Sequence, residues 1–296
     1  MRSRLALLVC LVTLSGVSFV AAPAAQATFP GLPGGGIAFA SDRAGNFEIY
    51  LMHTDGSHIQ RLTHSPGFDQ APSFNVGGGF IAFESARTGH GDVYTMGAGG
   101  TDLHRITHNS HRDFDPAWSP FSNKIVFVSM RSGHGDLYIY DLNRRTSRRL
   151  THSSAFDGSP DWSHDGLIVF QSGRRGNMDL FTIHPNGTGL RRITSSTDDD
   201  LFPSWHPNSG KVAYVHVHGS HQQVFTVRTD GTHVTQLTHS PLLKGTLAWS
   251  FSGRKIVMSA GTENTVDLYT IRADGTHQHR LTSGPASDFE PAWQSL

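Results

Sequence analysis

Aspartate recurs at one position of this 296-residue sequence, at intervals of 43 or 44 residues. The series, which we name the aspartate ring, consists of Asp69, Asp113, Asp157, Asp200 and Asp288, with Lys244 in the one remaining place. Carboxylates in such a ring can bind a cation or a basic peptide. A residue that recurs in nearly every unit is also typical of a structural role, in which each Asp accepts backbone N–H bonds and shapes its own turn. We expect the structural role here.

A second group of chemically capable side chains is the histidine-rich segment His216-Val217-His218-Gly219-Ser220-His221. Side chains alternate along a β-strand, so His216 and His218 point the same way, and with His221 two or three imidazoles could converge on a metal ion. Histidine is common throughout the chain, however, with 19 residues of this type. We therefore interpret the segment as a solvated loop and predict neither a metal site nor a cofactor.

The same region is where the repeat departs most from its own pattern. Gln223 replaces the acid found at its place in the other units, and the following crossover, residues 239–244, loses both the ring aspartate and a proline. A departure concentrated in one sector predicts a site specific for a partner or ligand. The candidate partner-binding residues are His216, His218, His221, His239, Leu242, Leu243, Lys244, Asp198 and Asp199.

Two further markers show which elements must position these residues. All five tryptophans share one register, with separations of 44, 43, 44 and 44, at Trp118, Trp162, Trp205, Trp249 and Trp293. A Leu-Thr or Ile-Thr pair repeats six times with the same spacing, from Leu62-Thr63 to Leu281-Thr282. A period of about 40–45 residues that carries four strands is the signature of a propeller blade.

The pattern within each unit is β throughout. Residues 125–128 form a short apolar run, as expected for a strand buried on both faces, and residues 137–140 alternate more and form the next strand. Asn186-Gly187 and Asp230-Gly231 are hairpin turns that need positive φ. The sequence therefore predicts an all-β fold, a single six-bladed β-propeller of four-stranded blades over residues 28–296.

The order of the chain ends predicts how the ring closes. The first β pattern of the propeller region, at residues 37–39, is a second-strand motif, and the last, at residues 289–293, is a first-strand motif. We expect the C-terminal strand to join the first blade, which removes the exposed sheet edges of an open array.

The propeller connectivity places the aspartate ring and the histidine-rich sector on one face, around the channel entrance. The loops from outer strand to next inner strand and from second to third strand share this face, which we name the loop-rich face. Four arginines of the second-to-third loops are expected to pair with acids across their own loops, as Arg43–Glu48, Arg87–Asp92, Arg131–Asp136 and Arg174–Asp179.

The N-terminus predicts export. Arg2 and Arg4 precede an apolar core, residues 5–20, and Ala25-Gln26-Ala27 supplies a small-x-small cleavage pattern, so we predict a signal peptide over residues 1–27. The only cysteine, Cys10, lies within it and leaves the mature chain without disulfides. No later stretch is apolar enough to span a membrane. The expected location is secreted or extracytoplasmic.

Charge excludes one class of partner. The chain has 24 basic and 24 acidic residues and no long basic run, so we expect no nucleic-acid binding. Its apolar content of 37% also argues against intrinsic disorder.

The blade pattern resembles the TolB-type (WD-like) propeller repeat family. Residues 116–120, Pro-Ala-Trp-Ser-Pro, and residues 129–133, Ser-Met-Arg-Ser-Gly, carry the resemblance most clearly. It covers the propeller part only, since six repeats leave no room for the N-terminal α/β domain of that family. The resemblance implies a six-bladed propeller that binds partner proteins outside the cytoplasm.

Three functions follow as hypotheses. The first is an exported, non-catalytic and monomeric propeller that binds a protein or peptide through its loop-rich face. The second is an extracytoplasmic propeller enzyme, a lyase or hydrolase that acts on a polysaccharide or small ester with a metal-assisted site in the central channel, although no Gly-x-Ser-x-Gly elbow is present. The third is an envelope scaffold without a discrete ligand. The first is our expectation, with no catalytic residue assigned.

Overall fold

The computed structural model describes residues 35–262 and 264–294. Within these ranges the chain forms 24 strands and a one-turn 3-10 helix (Met130–Ser132), and the strands make six antiparallel four-stranded sheets. The predicted signal peptide lies outside the described residues. In the part of the chain that the structure describes, no helix is long and apolar enough to cross a membrane.

Each sheet is one blade, and its first two strands lie nearest the channel. The inner strands are β4 (Asp69–Phe74), β8 (Asp113–Trp118), β12 (Asp157–Trp162), β16 (Asp199–Trp205), β20 (Leu243–Trp249) and β24 (Asp288–Trp293). The second strands are β1 (Gly36–Ser41), β5 (Phe80–Ser85), β9 (Lys124–Ser129), β13 (Ile168–Ser172), β17 (Lys211–His218) and β21 (Lys255–Gly261).

The other two strands of each blade lie further out. The third strands are β2 (Glu48–His53), β6 (Asp92–Gly97), β10 (Asp136–Asp141), β14 (Asp179–Ile183), β18 (His221–Arg228) and β22 (Val266–Arg272). The outer strands are β3 (Gln60–Arg61), β7 (His104–Arg105), β11 (Thr146–Arg149), β15 (Arg191–Arg192), β19 (Thr235–Gln236) and β23 (His279–Arg280). The strand order is inner, second, third, outer in every sheet.

The six blades close into a ring, as the sequence predicts. Neighbouring inner strands contact one another all the way around, including β20 with β24 and β24 with β4. The C-terminal strand β24 is the inner strand of the first blade, and it pairs with β1 through Ile37↔Trp293 and Ser41↔Asp288. The predicted fold class and ring closure are confirmed.

The core consists of six apolar layers, one between each pair of adjacent blades. Between the third and fourth blades, Val126 and Leu137 pack against Trp162 and Phe170. The apolar second strands supply most of each layer and are almost entirely buried, as β1 and β9 show. A strand that is covered on both faces is apolar at most of its positions, which explains the continuous apolar runs of the sequence.

Every inner strand carries a β-bulge, and the bulge brings one residue to the channel. This residue, which we name the channel position, is Ala71, Asp115, Ser159, Phe202, Thr246 or Glu290. Five of the six have φ between 46° and 53°, and a proline follows each of the five. Thr246 is the exception, which fits its β-branched side chain, since such residues rarely adopt positive φ.

The fifth blade differs from the others at the loop-rich face. Its second and third strands, β17 and β18, have eight residues each, whereas the corresponding strands of the other blades have five to seven. The resulting hairpin extends the pairing as far as His218↔His221 and turns at Gly219.

Candidate functional site

The aspartate ring lies at the channel entrance on the loop-rich face, and all five carboxylates are buried. Four of them are bound by an arginine of their own blade rather than by backbone N–H groups. The N···O distances are 2.8 Å for Arg43–Asp288, 2.8 Å for Arg87–Asp69, 2.9 Å for Arg131–Asp113 and 2.8 Å for Arg174–Asp157. These four carboxylates are therefore compensated by the protein's own cations.

The pairing expected from sequence for these four arginines is wrong. A serine two residues earlier accepts a bond from the arginine Nε, as Ser41 Oγ does from Arg43 at 2.9 Å, and this directs the guanidinium toward the inner strand. The third-strand acids instead bind arginines of the outer strands, at N···O distances of 2.6–2.9 Å. These pairs are Arg61–Glu48, Arg105–Asp92, Arg149–Asp136, Arg192–Asp179 and Arg280–Asp267.

Each ring arginine also stacks on a pair of aromatic side chains. The Arg131 guanidinium carbon lies 5.7 Å from the Phe127 ring centroid and 4.4 Å from that of Tyr138, within cation–π range. Arg43, Arg87 and Arg174 make the same pair of contacts in their blades. We name this unit of ring aspartate, arginine and two aromatic rings the arginine corner.

Burial shapes the electrostatics of these corners. Loss of hydration raises the pKa of Asp69 to about 6, although the Arg87 guanidinium opposes this shift. The Arg87 guanidinium therefore helps the Asp69 carboxylate to stay ionised.

The fifth blade has no arginine in its corner. His216 and His218 occupy the positions that Ser172 and Arg174 hold in the fourth blade. His216 Nδ1 lies 2.7 Å from Asp200 Oδ1, so an imidazole takes the place of the guanidinium at the ring aspartate. The sequence expectation that His216 and His218 point the same way agrees with this geometry, since His218 Nδ1 lies 2.8 Å from Asp198 Oδ2.

The second arginine pair of the fifth blade is also absent, and two glutamines replace it. Gln236 Nε2 donates to the Thr238 carbonyl at 2.7 Å, the same bond that Arg61 Nε makes to Thr63 in the first blade. Gln223 Oε1 accepts from Thr238 Oγ1 at 2.7 Å, and its Nε2 donates to Ser240. The acid and the base have therefore been exchanged together for neutral amides.

These substitutions leave a cavity of about 410 Å³, which we name the fifth-blade cavity. Its walls are His216, His218, His221, Gln223, Phe225, Gln236 and His239. His218, His221 and His239 are exposed. Asp198 is partly buried and contacts the cavity wall through His218, whereas Asp199, also partly buried, accepts from the Met178 backbone N–H of the fourth blade at 2.8 Å. The structure thus brings four of the predicted histidines to one site.

Lys244, in contrast, lies inside the protein and not on its surface. Its side chain is buried, and its Nζ donates to Ser240 Oγ at 2.9 Å and to the Leu242 carbonyl. Burial lowers its pKa to about 8. Leu242 and Leu243 are partly buried in the same crossover.

The channel interior holds a carboxylate group that sequence reasoning missed. Glu290 Oε2 accepts from the Ala71 backbone N–H at 2.7 Å, and the charge of Asp115 adds to burial in raising the pKa of Glu290 to about 8. Arg112 binds Glu84 at 2.6 Å nearby. The available signal was the channel position itself, which changes type in every blade while a proline follows it in five of the six.

The opposite end of the channel opens into an aromatic mouth, which sequence reasoning also missed. A cavity of about 300 Å³ lies where the inner strands end, lined by the five tryptophans and Phe74. Val76 and Phe251 line the same cavity and are about half exposed. The Trp249 indole N–H there is buried and has no hydrogen-bond partner within the described residues.

The sites described above differ in the chemical groups that they offer. Within residues 35–262 and 264–294, no group of three or more His, Cys, Asp or Glu side chains is arranged to hold a metal ion. The fifth-blade cavity offers imidazoles, amides and one aromatic ring beside two carboxylates. The channel offers carboxyls of raised pKa, which can hold or move a proton.

The TolB β-propeller domain pattern matches residues 18–115 and 110–244, which is more than half of the sequence. With the six-bladed ring and its repeated corners, this match shows that the chain belongs to the TolB β-propeller family. No curated protein matches the sequence.

Solved structures with the same architecture come from several kinds of protein. TolB from Acinetobacter baumannii superposes with a TM-score of 0.80 at 22% identity, over 90% of this chain and 68% of TolB. Hydrazine synthase from Kuenenia stuttgartiensis gives 0.74 at 14%, over 88% and 47%. Oligogalacturonate lyase from Vibrio parahaemolyticus gives 0.59 at 15%, over 84% and 75%. At these identities the likeness establishes the fold.

Proposed function

We propose that this chain is an exported, monomeric and non-catalytic propeller scaffold that binds a protein or peptide partner through its loop-rich face. The observation that carries the proposal is the fifth blade. There both arginine pairs of the repeat are replaced in concert, the hairpin is lengthened, and a cavity opens toward solvent. A departure from the repeat that is concentrated at one exposed sector supports a partner-specific role for that sector.

The partner surface consists of the exposed side chains of this sector. His218, His221 and His239 are exposed. Lys244 is buried and donates a hydrogen bond to Ser240 within the crossover. Polar and aromatic groups around a concave site are typical of specific recognition.

Affinity capture from the culture medium and cell envelope of the producing organism tests this surface. The variant H218A/H221A changes two exposed side chains and is expected to lose the partner. The matched control V76S/F251S changes two exposed side chains at the aromatic mouth and is expected to retain it. Loss with the control and retention with H218A/H221A would move the partner to the opposite end of the channel.

Export rests on the N-terminal sequence pattern and on the periplasmic location that TolB-type resemblance implies. The protein recovered outside the cytoplasm is expected to begin at Thr28, as read by mass spectrometry of its N-terminal peptide. Recovery of a chain that still begins at Met1 would contradict cleavage after Ala27. A single mass by light scattering tests the monomer.

A second candidate function is a lyase or hydrolase that works in the channel. Two observations favour it, the raised pKa of Glu290 and the likeness to an oligogalacturonate lyase structure in complex with manganese. Incubation with oligogalacturonate and manganese, followed by ultraviolet absorbance of an unsaturated product, tests a lyase. Product formed by the wild type and not by E290Q would establish the enzyme, and no product would remove this substrate.

A further inference from the structure

The arginine corner is built four times with its guanidinium supplied by the blade itself. In the first four blades the guanidinium lies against two aromatic rings and binds a buried carboxylate. A second guanidinium, from the outer strand, binds the third-strand acid of the same blade. Each of these blades therefore encloses two guanidinium groups at its loop-rich end.

The fifth blade lacks both guanidiniums, and the His216 imidazole occupies the corner instead, with Nδ1 2.7 Å from Asp200 Oδ1 and its ring centroid 5.2 Å from that of Phe225. Tyr214 and Phe225 form the same aromatic pair, with centroids 6.0 Å apart at 35°, close to the 5.9 Å and 30° of Phe170 and Phe181. The ring carboxylate of Asp200 is also present and buried. What changes is the pair of arginine positions, which hold His218 and Gln236.

The fifth-blade cavity lies between these two positions. His218 and Gln236 both line it, and the Phe225 ring forms part of its wall. His218 does not fill the space, because its side chain is 77% exposed and is turned toward Asp198. A volume of about 410 Å³ accommodates a guanidinium and the alkyl stem that carries it.

The carboxylates near the fifth-blade cavity also favour the binding of a cation. Within the described part of the chain, Asp198 and Asp200 make ion-pair contacts only with imidazoles, at 2.7–3.8 Å. Every other ring aspartate has an arginine. When the imidazoles are neutral, two carboxylates beside an aromatic ring remain without a formal cation. Guanidinium is weakly hydrated, stacks on aromatic faces and bonds to carboxylate and amide oxygens, so it suits this lining.

We propose that the fifth-blade cavity binds an arginine side chain supplied by the partner, beside the corner that His216 fills and in place of the two arginines that each of the first four blades supplies itself. This inference rests on the proposed function and names the chemistry of its partner. The guanidinium lies against Phe225 and Gln236 in the cavity wall and faces the Asp198 carboxylate, which contacts His216 and His218. The partner chain runs across the hairpin of β17 and β18.

Titration with N-acetyl-L-arginine amide tests the site without the partner. The histidine side-chain NMR signals of the full chain are followed at one fixed pH throughout the titration. We expect saturable shifts of the His216, His218 and His239 signals, with a dissociation constant in the millimolar range. N-acetyl-L-citrulline amide, which is neutral and nearly isosteric, is expected to cause none.

The variant Q223D/Q236R is the matched control, because it restores the acid–arginine pair of the other five blades and so refills the cavity. It is expected to fold and to bind arginine amide at least about tenfold more weakly than the wild type. Equal binding by this variant, or no shifts in the wild type, would overturn the proposal. Equal shifts with the lysine analogue would reduce the site to a general cation site and overturn the guanidinium assignment.

Two further comparisons distinguish free arginine from an arginine within a protein chain, and failure of the arginine assignment from failure of the partner-binding proposal. Tighter binding of free L-arginine than of the amide would assign the site to the amino acid and contradict an arginine within a protein chain. If arginine amide fails to bind while partner capture still depends on His218 and His221, the arginine assignment falls and the partner-binding proposal stands.

Discussion

The buried carboxylates of the aspartate ring, the third strands and the channel fall into two groups according to the partners that they bind. Those of the aspartate ring and the third strands have a guanidinium or an imidazole within 3 Å. Those of the channel, Glu290 and Asp115, lie beside each other and depend on backbone and hydroxyl donors. The first group is compensated by neighbouring cationic or imidazole side chains, whereas burial raises the pKa of both carboxyls in the second group.

Glu290 makes stability depend on pH. Its pKa rises from 4.5 in the unfolded chain to about 8 in the fold, so the stability it contributes is present below pH 4.5 and is lost as pH rises toward 8. E290Q stays neutral and keeps an acceptor for the Ala71 N–H. Its stability relative to the wild type is expected to grow by up to about 1.4 kcal/mol per pH unit in that window. Urea unfolding at several pH values measures this, and a constant difference would contradict it.

Arg131 tests the ring pairs. Asp113 has no exposed surface, so R131M leaves a buried carboxylate without its cation and is expected to cost about 3–5 kcal/mol. The double variant R131M/D113N removes the stranded charge and is expected to recover part of the loss. Urea unfolding provides the free energies. A loss below about 1 kcal/mol, the size of an exposed pair, would show that the corner is solvated.

Blades meet at their rims through hairpin glycines as well as through apolar layers. Gly275 and Gly187 both have positive φ, 82° and 90°, in equivalent turns of the sixth and fourth blades. A Cβ added to Gly275 would lie 2.4 Å from the Leu237 carbonyl oxygen of the preceding blade, whereas one on Gly187 would lie 3.9 Å from that of Leu150. The same turn is therefore tight at one blade junction and relaxed at another.

This difference predicts unequal costs for the same substitution. G187A meets only the left-handed backbone penalty of about 1–2 kcal/mol, while G275A adds displacement of the neighbouring blade. We expect G275A to be clearly the more destabilising in urea unfolding. Equal losses would mean that the blades adjust freely at this contact.

At the scale of the whole molecule, closure by β24 holds the ring. Arg43 and Asp42 of the first blade bind Asp288 and Ser287 from the other end of the chain, at 2.8 Å each. Without β24 the fully buried strand β1 becomes an exposed edge, which favours aggregation.

Removal of residues 288–296 is therefore expected to give an aggregated product in size-exclusion chromatography. The matched control is a circular permutant that carries residues 288–294 directly before residue 35, which makes the first blade contiguous. Gln294 N already lies 2.8 Å from the Gly36 carbonyl, so this junction is short. The permutant is expected to be monomeric and to unfold cooperatively. A monomeric, cooperative truncation would contradict closure by β24.

Sequence predicted the ring almost completely and the site only in part. The regular spacing of the Trp residues and of the Leu-Thr pairs predicts six blades, because each blade packs in the same way and therefore needs the same residue types at the same positions. The partners of Arg43 and Arg131 could not be read in the same way, since both an inner-strand and a third-strand acid lie within reach. The burial of Lys244 and the cavity beside Phe225 depend on how two neighbouring loops fold together. The spacing of residues along the sequence does not predict that arrangement.

The central claim is that the partner meets the loop-rich end of the fifth blade. A photo-crosslinking amino acid at His221 tests it most directly, with the same group at His134 as control, because His134 is exposed in the corresponding loop of the third blade. We predict one crosslinked partner from position 221 and none from position 134. Equal crosslinking from both positions, or none from position 221 in protein that still captures its partner, would contradict the claim.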